Sequence, residues 1–292
     1  MPAPQATSGN FSTKESNGVG LSPQEQLARS LFVLVCTDPG RTTPFRIGTG
    51  FAIDAQHVVT SAAVIEAMRG LRQNGLTEAF LFSPATEREM AIETATIHPR
   101  FEIANTVARQ AQQEHDAIFD KLESQPPSPE SLEKVKENLI AARTKALRAI
   151  DTKTSYDVAI IRVNQQLAHW LTGAAEEASL RPRQKLQVAG YAFDVEDPFF
   201  DRSAPFELST FSGRIDRLFR STDDSATRML AETSSEQHEY AYFGSPAMNA
   251  NGEVVGIYSR PTPSAEESET DSSKTYDAAL FERVRECLAA QG

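Results

Sequence analysis

A turn near the end of the chain dictates one antiparallel hairpin. Asn251 and Gly252 are a preferred pair for a two-residue β turn, because both central positions of that turn need a positive φ. The residues after the turn, 253–257, form a β-branched segment that is typical of a strand. Further strand patterns occur at 31–36, 46–54, 57–65, 80–82, 92–99, 155–163, 185–191 and 208–215. With 16 proline and 15 glycine residues, these patterns predict a turn-rich, mainly β protein.

One block interrupts the strand patterns. Residues 102–150 change to helical periodicity, with a break at 125–129 after which a second helix begins. The apolar stripe of the first helix consists of Ile103, Val107, Ala111, Ile118 and Leu122, and that of the second consists of Leu132, Val135, Leu139, Ala142 and Ala146. The second stripe has the spacing of a seam that packs against an antiparallel helix. The block therefore predicts a two-helix hairpin inserted into a β domain.

Charge and composition argue against some functions. The 29 basic and 40 acidic residues give a net charge of −11, which disfavours a general nucleic-acid or anionic-membrane surface. No apolar run is long enough for a membrane span. Residues 1–21 are polar, lack a signal-peptide pattern and predict a disordered tail. Cys36 and Cys287 lie far apart in the sequence, which favours two free buried thiols. We therefore expect a cytoplasmic protein.

Three ordered motifs resemble those of trypsin-like serine proteases, most closely the bacterial HtrA-type branch. Gly-Ser-Pro at 244–246, followed by the hairpin, resembles the segment that carries the nucleophile in that family. Gly-Thr-Gly-Phe at 48–51, followed by residues 58–64, resembles the segment that carries the histidine. Residues 157–161 resemble the strand that carries the aspartate. The resemblance covers roughly residues 27–101 and 151–290.

The resemblance implies the fold and the domain limits. The fold it implies is a trypsin-like double six-stranded antiparallel β-barrel with an inserted α-helical hairpin and a C-terminal helix. Residues 1–21 would then be the tail and residues 22–292 the trypsin-like domain. Within that domain the first barrel covers about 27–165 and contains the insertion at 102–150, the second barrel covers about 180–275, and the C-terminal helix covers 276–290.

The resemblance also implies which positions correspond to a catalytic triad. The histidine position is occupied by Ala63, the aspartate position by Asp157 and the serine position by Phe243, while the oxyanion-hole glycine is replaced by Ala241. Serine proteolysis needs a hydroxyl nucleophile and an imidazole base, and neither a methyl group nor a phenyl ring can act in these ways. The sequence therefore predicts a degenerate site without catalytic activity.

Other chemistry receives little support from the sequence. Ser245 is the obvious substitute nucleophile, although it lies two residues beyond the serine position. None of the five histidines has a spacing that places it opposite Phe243, and no cluster has metal-ligand spacing. No phosphate-binding loop is found either, because Gly48-Thr49-Gly50 lies between strands. We therefore expect no cofactor and no metal.

A protein that has lost catalysis is expected to act by binding. Tyr240, Tyr242 and Phe243 are predicted to fill or line the former groove, because aromatic side chains occupy the space of the oxyanion pocket. The helical hairpin, with Leu132, Val135 and Leu139 on its seam, is the candidate docking surface or lid. The favoured function is a pseudoprotease that binds a protein or peptide partner. The alternatives are a residual hydrolase that uses Ser245 or a partner-supplied residue, and a structural subunit of a larger assembly, while the oligomeric state stays open.

Overall fold

The computed structural model describes residues 21–124, 131–175, 180–191, 198–220, 227–233, 242–261 and 274–291, and the following description concerns these residues. Six strands close the first barrel: β1 (Leu31–Thr37), β2 (Phe45–Ala52), β3 (His57–Thr60), β4 (Glu78–Ser83), β5 (Arg88–Ile97) and β6 (Ala159–Val163). Their order around the barrel is β1-β2-β3-β6-β5-β4, and every neighbouring pair is antiparallel. The predicted tail lies outside the described residues apart from its last residue.

Six further strands close the second barrel: β7 (Lys185–Tyr191), β8 (Leu208–Arg220), β9 (Thr227–Thr233), β10 (Pro246–Met248), β11 (Val254–Pro261) and β12 (Lys274–Leu280). Their order is β10-β11-β12-β9-β8-β7. The loop that joins β10 to β11 contains the predicted turn residues, and Gly252 has a φ of 77°. The prediction of a two-residue turn was wrong, because Asn251 does not have a positive φ and residues 249–253 separate the paired Met248 and Val254, with the N–H of Gly252 donating a hydrogen bond to the carbonyl oxygen of Asn249. The double-barrel prediction is confirmed.

The two barrels share one core. A cluster of buried apolar residues includes Val33 of β1, Ala189 of β7 and Ile257 of β11, so it runs from one barrel into the other. Both faces of β1 are buried, since one set of its side chains joins this shared cluster and the other set joins a second cluster in the first barrel. This explains why residues 31–36 form a continuous apolar run instead of alternating with polar residues.

Three helices lie outside the inserted hairpin, and two of them begin at a serine whose hydroxyl caps the first turn. In α1 (Pro23–Ser30), Ser22 and Glu25 form a capping box. In α2 (Ala62–Gln73), the Ser61 hydroxyl accepts a hydrogen bond from the Val64 N–H. The third, α5 (Glu282–Ala289), is shorter than the predicted C-terminal helix at 276–290. That prediction was wrong at its start because residues 274–280 form β12, which pairs with β9 and β11 to close the second barrel.

The inserted hairpin consists of α3 (Pro99–Ser124) and α4 (Leu132–Ser155). It extends past the predicted limits of 102 and 150, since Pro99 suits a first helical turn. Ala108, Ala111, Ala146 and Ala149 form a small buried cluster between the helices. The predicted stripe of the first helix was wrong at Ile103 and Val107, which are exposed, because alanines let the helices approach closely on the neighbouring face. None of the helices in the described ranges is long and apolar enough to cross a membrane.

Candidate functional site

A cavity of about 430 Å³ lies where the helical hairpin meets the barrels. Ala63, Asp157, Phe243 and Ser259 line it from the barrels. The hairpin lines it with Asn105, Ala108, Arg109 and Gln112 of α3 and with Ile150, Lys153 and Thr154 of α4. The structure therefore brings together Ala63, Asp157 and Phe243, the three triad positions that the motifs indicated. The inserted hairpin forms a further wall of the same cavity.

Ala63 and Asp157 are in direct contact. Ala63 lies in the first turn of α2, and its backbone N–H donates a hydrogen bond to Asp157 Oδ1 at 2.8 Å. Asp157 follows the end of α4 and precedes β6, and its side chain is buried. The contact ties the start of α2 to the start of β6 and leaves only a methyl group projecting from Ala63.

Burial dominates the electrostatics of Asp157. Removal from water raises the pKa of Asp157 above the usual carboxyl range, because the charged form loses its solvation. The N–H of Ala63, the hydroxyl of Ser259, the charge of Lys153 and the N–H of Ala62 each lower this pKa and offset only part of the effect. The site thus contains a buried carboxyl group that is costly to ionise.

Phe243 occupies the junction between the barrels. Its side chain packs against clusters of both barrels, and its ring centroid lies 6.1 Å from that of Tyr258. Its carbonyl oxygen accepts a hydrogen bond from the Thr49 N–H at 2.8 Å. The next residue, Gly244, has a φ of 82°, and a Cβ atom at this position would lie 2.2 Å from Thr49 O and Thr60 Oγ1. The backbone at Phe243 is therefore fixed by close contacts with the first barrel.

The other residues predicted for the groove are placed differently. Tyr242 is buried inside the second barrel, where its ring lies edge-on to Phe211 with centroids 4.8 Å apart, so it does not line the cavity. Tyr240 and Ala241 lie outside the described residues. Tyr242 and Phe243 lie in a tight turn, in which the N–H of Ser245 donates a hydrogen bond to the carbonyl oxygen of Tyr242, and their side chains leave this turn in different directions.

The predicted seam residues also lie away from the cavity. Leu132 is exposed, and Val135 and Leu139 are half-buried. Leu132 precedes the cavity-lining Ile150 by 18 residues of α4. A helix rises about 1.5 Å per residue, so the two lie roughly 27 Å apart along its axis. These three residues belong to the outer part of the hairpin.

Ser245 is fully buried and does not line the cavity. Its hydroxyl lies beside Gly190, where an added Cβ atom would be 2.6 Å from Ser245 Oγ. Its N–H donates a hydrogen bond to the carbonyl oxygen of Tyr242. This environment leaves no room for a substrate carbonyl next to the hydroxyl, which argues against Ser245 as a nucleophile.

None of the histidines in the described ranges lines the cavity. His57 contacts Asp54 in a turn at 2.8 Å, and His98 is buried with its Nε2 atom 3.2 Å from Glu286. His115 lies on α3 next to Asp116, and His238 lies outside the described residues. Among the residues that the structure describes, no group of three or more histidine, cysteine, aspartate or glutamate side chains could hold a metal ion.

One charged residue of α2 holds the hairpin, and the sequence analysis missed it. Glu66 Oε1 accepts a hydrogen bond from Asn105 Nδ2 at 2.7 Å and lies 3.6 Å from Arg109 Nη2. Its other oxygen lies 4.0 Å from Lys153 Nζ. The only sequence signal was the position of Glu66 one turn after Ala62 and Ala63, and its partners come from two helices of the insertion. Ser259 was missed for a similar reason, since it simply follows a strand pattern.

Comparison with known proteins identifies the family through one family model and the fold through solved structures. The model of the trypsin-like peptidase domain matches residues 48–257. Neuropsin, a serine protease expressed in the limbic system of mouse brain, is 13% identical with a TM-score of 0.51, and the match covers 91% of this chain and 96% of that chain. The active form of the Rv3671c protease from M. tuberculosis is 16% identical with a TM-score of 0.49, covering 97% and 93%. No curated protein sequence matches. At 13% identity, the similarity to neuropsin shows the fold alone.

Proposed function

The chain belongs to the trypsin-like peptidase domain family, and we propose that it is a catalytically inactive member that binds a protein or peptide partner. The observation that carries this proposal is the composition of the cavity. Where the resemblance implies an imidazole next to Asp157, the cavity presents the methyl group of Ala63, and where it implies a hydroxyl, the cavity presents the ring of Phe243.

The absence of the imidazole and the hydroxyl should greatly reduce the rate of peptide hydrolysis. Removing a single triad member from a serine protease reduces the rate by roughly 10⁴-fold or more. Here two positions lack the required groups, and Asp157 has no imidazole among the described residues to orient. The burial of Ser245 further disfavours the alternative of a residual hydrolase that uses this hydroxyl.

The hairpin supports a binding role. Ile140 and Leu147 of α4 are 64% and 52% exposed, and Phe119 of α3 is 48% exposed. Helical periodicity places Leu147 on the same face as the cavity-lining Ile150, and Phe119 lies seven residues after the cavity-lining Gln112. An apolar surface thus extends from the cavity along the hairpin, as expected for a docking face.

The proposal extends to the partner class and the compartment. A protein or peptide with an apolar face suits this surface, and the strong acidic excess disfavours nucleic acid. Cys36 and Cys287 are free and buried, which fits a reducing compartment such as the cytoplasm. The alternative of a structural subunit differs from this proposal in one measurable property, because it requires a fixed oligomer instead of a detachable partner.

Labelling with a serine-directed fluorophosphonate probe tests the loss of catalysis. We expect no labelling of the native chain and no cleavage of a proteome-derived peptide library. A revertant that combines Ala63→His, Phe243→Ser and Ala241→Gly is the positive comparison for the site. Labelling of the native chain that disappears in a Ser245→Ala variant would refute the proposal and establish the residual hydrolase.

A further inference from the structure

In the first barrel, β4 and β5 are paired over only part of their lengths. Their pairing ends where Phe80 lies opposite Ala91. Beyond this point each strand continues with a partner on one side only, since residues 78–79 pair with β1 and residues 92–97 pair with β6. Among the strands that the structure describes, none pairs with the other side of these two segments. Each segment therefore presents backbone N–H and C=O groups on a free edge.

A cavity of about 720 Å³ lies between these two free edges, and we call it the strand slot. Residues 77–80 line it from β4 and the turn before it, and residues 89–95 line it from β5. Ile65 and Met68 of α2 and Met90 of β5 are buried and give the strand slot an apolar surface. The volume is typical of pockets that bind ligands, which measure roughly 300–1,000 Å³.

Six charged side chains line the strand slot, and one of them has no ionic partner. Five are paired, because Arg41 contacts both Glu78 and Glu89, Arg69 contacts Glu102, and Glu93 contacts Arg162. The sixth is Arg72 in the last turn of α2, which forms no ion pair with any residue that the structure describes. A guanidinium group binds a carboxylate through two parallel hydrogen bonds. The unpaired charge of Arg72 therefore favours a ligand that carries a carboxylate.

We propose that the strand slot binds an extended peptide segment of a partner protein. The segment adds a strand between β4 and β5 and places a carboxylate at Arg72, which is either its C-terminus or an acidic side chain. Main-chain hydrogen bonds to the free edges supply the affinity, and side chains on one face of the added strand pack on the apolar surface. At about 3.3 Å per residue, residues 92–95 span roughly 13 Å, which is the length of about four residues of the peptide.

The strand slot is a second site, since it shares no lining residue with the cavity at Asp157. Its occupant therefore does not depend on the chemistry of the former triad positions. Both sites adjoin α2, with Ala63 facing the cavity at Asp157 and Ile65 and Met68 facing the strand slot.

Binding of a labelled peptide to the full chain tests the strand slot. The probe is a fluorescein-labelled hexapeptide of alternating threonine and valine, followed by fluorescence anisotropy. One form has a free C-terminal carboxylate, a second is amidated, and a third is amidated but carries an internal glutamate. We expect saturable binding of the first or the third form, which identifies the source of the carboxylate. The second form should bind roughly 5- to 20-fold more weakly, a range between that of an exposed ion pair and that of a charged hydrogen bond.

Hydrogen exchange shows where the hexapeptide binds. At saturation, alternate amides of residues 77–79 and 92–95 should exchange more slowly, because they then donate hydrogen bonds to the peptide backbone. A hexapeptide in which proline replaces each threonine lacks the matching N–H groups and should not bind detectably.

Two variants and one control assign the site. Arg72→Gln should weaken the carboxylate-bearing form by about the same factor as amidation and leave the amidated form unchanged. Thr94→Trp should abolish binding of every form, because Thr94 is exposed in the strand slot and an indole ring would fill it. The matched control is Arg143→Gln, which replaces another exposed helical arginine, outside the strand slot, and should leave binding unchanged.

Absence of saturable binding, equal binding of the second form, unchanged exchange of these amides, or binding that survives Thr94→Trp would overturn the proposal. The outcome is separable from that of the proposed function. Labelling by the fluorophosphonate probe would refute the loss of catalysis whether or not the hexapeptide binds. An unlabelled chain that fails to bind the hexapeptide would retain the proposed function and remove only the strand slot as a binding site.

Discussion

Replacing Glu66 by alanine should release the helical hairpin from the barrels. Glu66 is the carboxyl group to which Asn105, Arg109 and Lys153 are all directed, so one substitution removes a hydrogen bond and two ion pairs. Asn105 is buried, and its amide would lose its partner. The barrels do not depend on these contacts for their strand pairing.

The contacts differ in their energies. The hydrogen bond from the buried Asn105 amide to the Glu66 carboxylate is worth about 1.5–3 kcal/mol. The two ion pairs are longer and partly exposed, so each contributes no more than about 0.5 kcal/mol. The free energy of local opening should therefore fall by about 2–4 kcal/mol, which corresponds to roughly 30- to 1,000-fold faster exchange.

Hydrogen exchange measured along the chain is the suitable assay. In Glu66→Ala, amides of α3 and α4 near the cavity should exchange faster by this factor, while those of β1 and β11 keep their native rates. The matched control is Glu102→Ala. Glu102 also joins the hairpin to α2, through Arg69 at 3.2 Å, but both side chains are exposed. That variant should change the free energy of local opening by less than about 1 kcal/mol.

Two results would refute the reasoning. Unchanged exchange in the hairpin would mean that apolar packing alone holds it, through residues such as Ala104 and Phe101. An equal acceleration in the hairpin and both barrels would mean that the insertion does not open separately. In either case Glu66 would not be the contact that determines hairpin opening.

Three further predictions concern stability and thiol chemistry. Gly244→Ala should destabilise the protein by about 2–5 kcal/mol in urea unfolding, because the added Cβ atom clashes with the first barrel at a residue that also has a positive φ. Gly75→Ala is the control, since Gly75 has a positive φ but open space around it, and it should cost about 1–2 kcal/mol. Equal costs for the two variants would contradict the role of the clash. Because burial raises the pKa of Asp157, the free energy of unfolding should fall as pH rises from the usual carboxyl range through that raised pKa. Asp157→Asn should remove this pH dependence, and identical pH profiles for the native chain and the variant would contradict the prediction. Burial raises the pKa of Cys36 and Cys287 to about 11, so both thiols should resist a thiol reagent at pH 8 until the protein unfolds; rapid reaction of the native chain would contradict this.

Local sequence signals determined the loops and helix starts that depend only on residues close together in the sequence. Gly252 specifies the loop between β10 and β11 because it adopts a positive φ, although Asn251 does not and the predicted two-residue turn did not form. Ser22 and Glu25 specify a helix start through two reciprocal hydrogen bonds. The ordered motifs identified the double barrel, and helical periodicity identified the hairpin. The start of the C-terminal helix was predicted wrongly because residues 274–280 pair with strands distant in sequence, which local periodicity does not detect.

The surroundings of the site were decided by tertiary structure. The sequence placed Ala63, Asp157 and Phe243 at corresponding family positions, but it did not indicate that α3 and α4 would form a wall of the same cavity. The bond between Ala63 and Asp157 spans 94 residues, and that between Glu66 and Asn105 spans 39. Periodicity determines which face of a helix is apolar. Which surface that face meets depends on the positions of all the strands around it, and these are fixed only when the chain is folded.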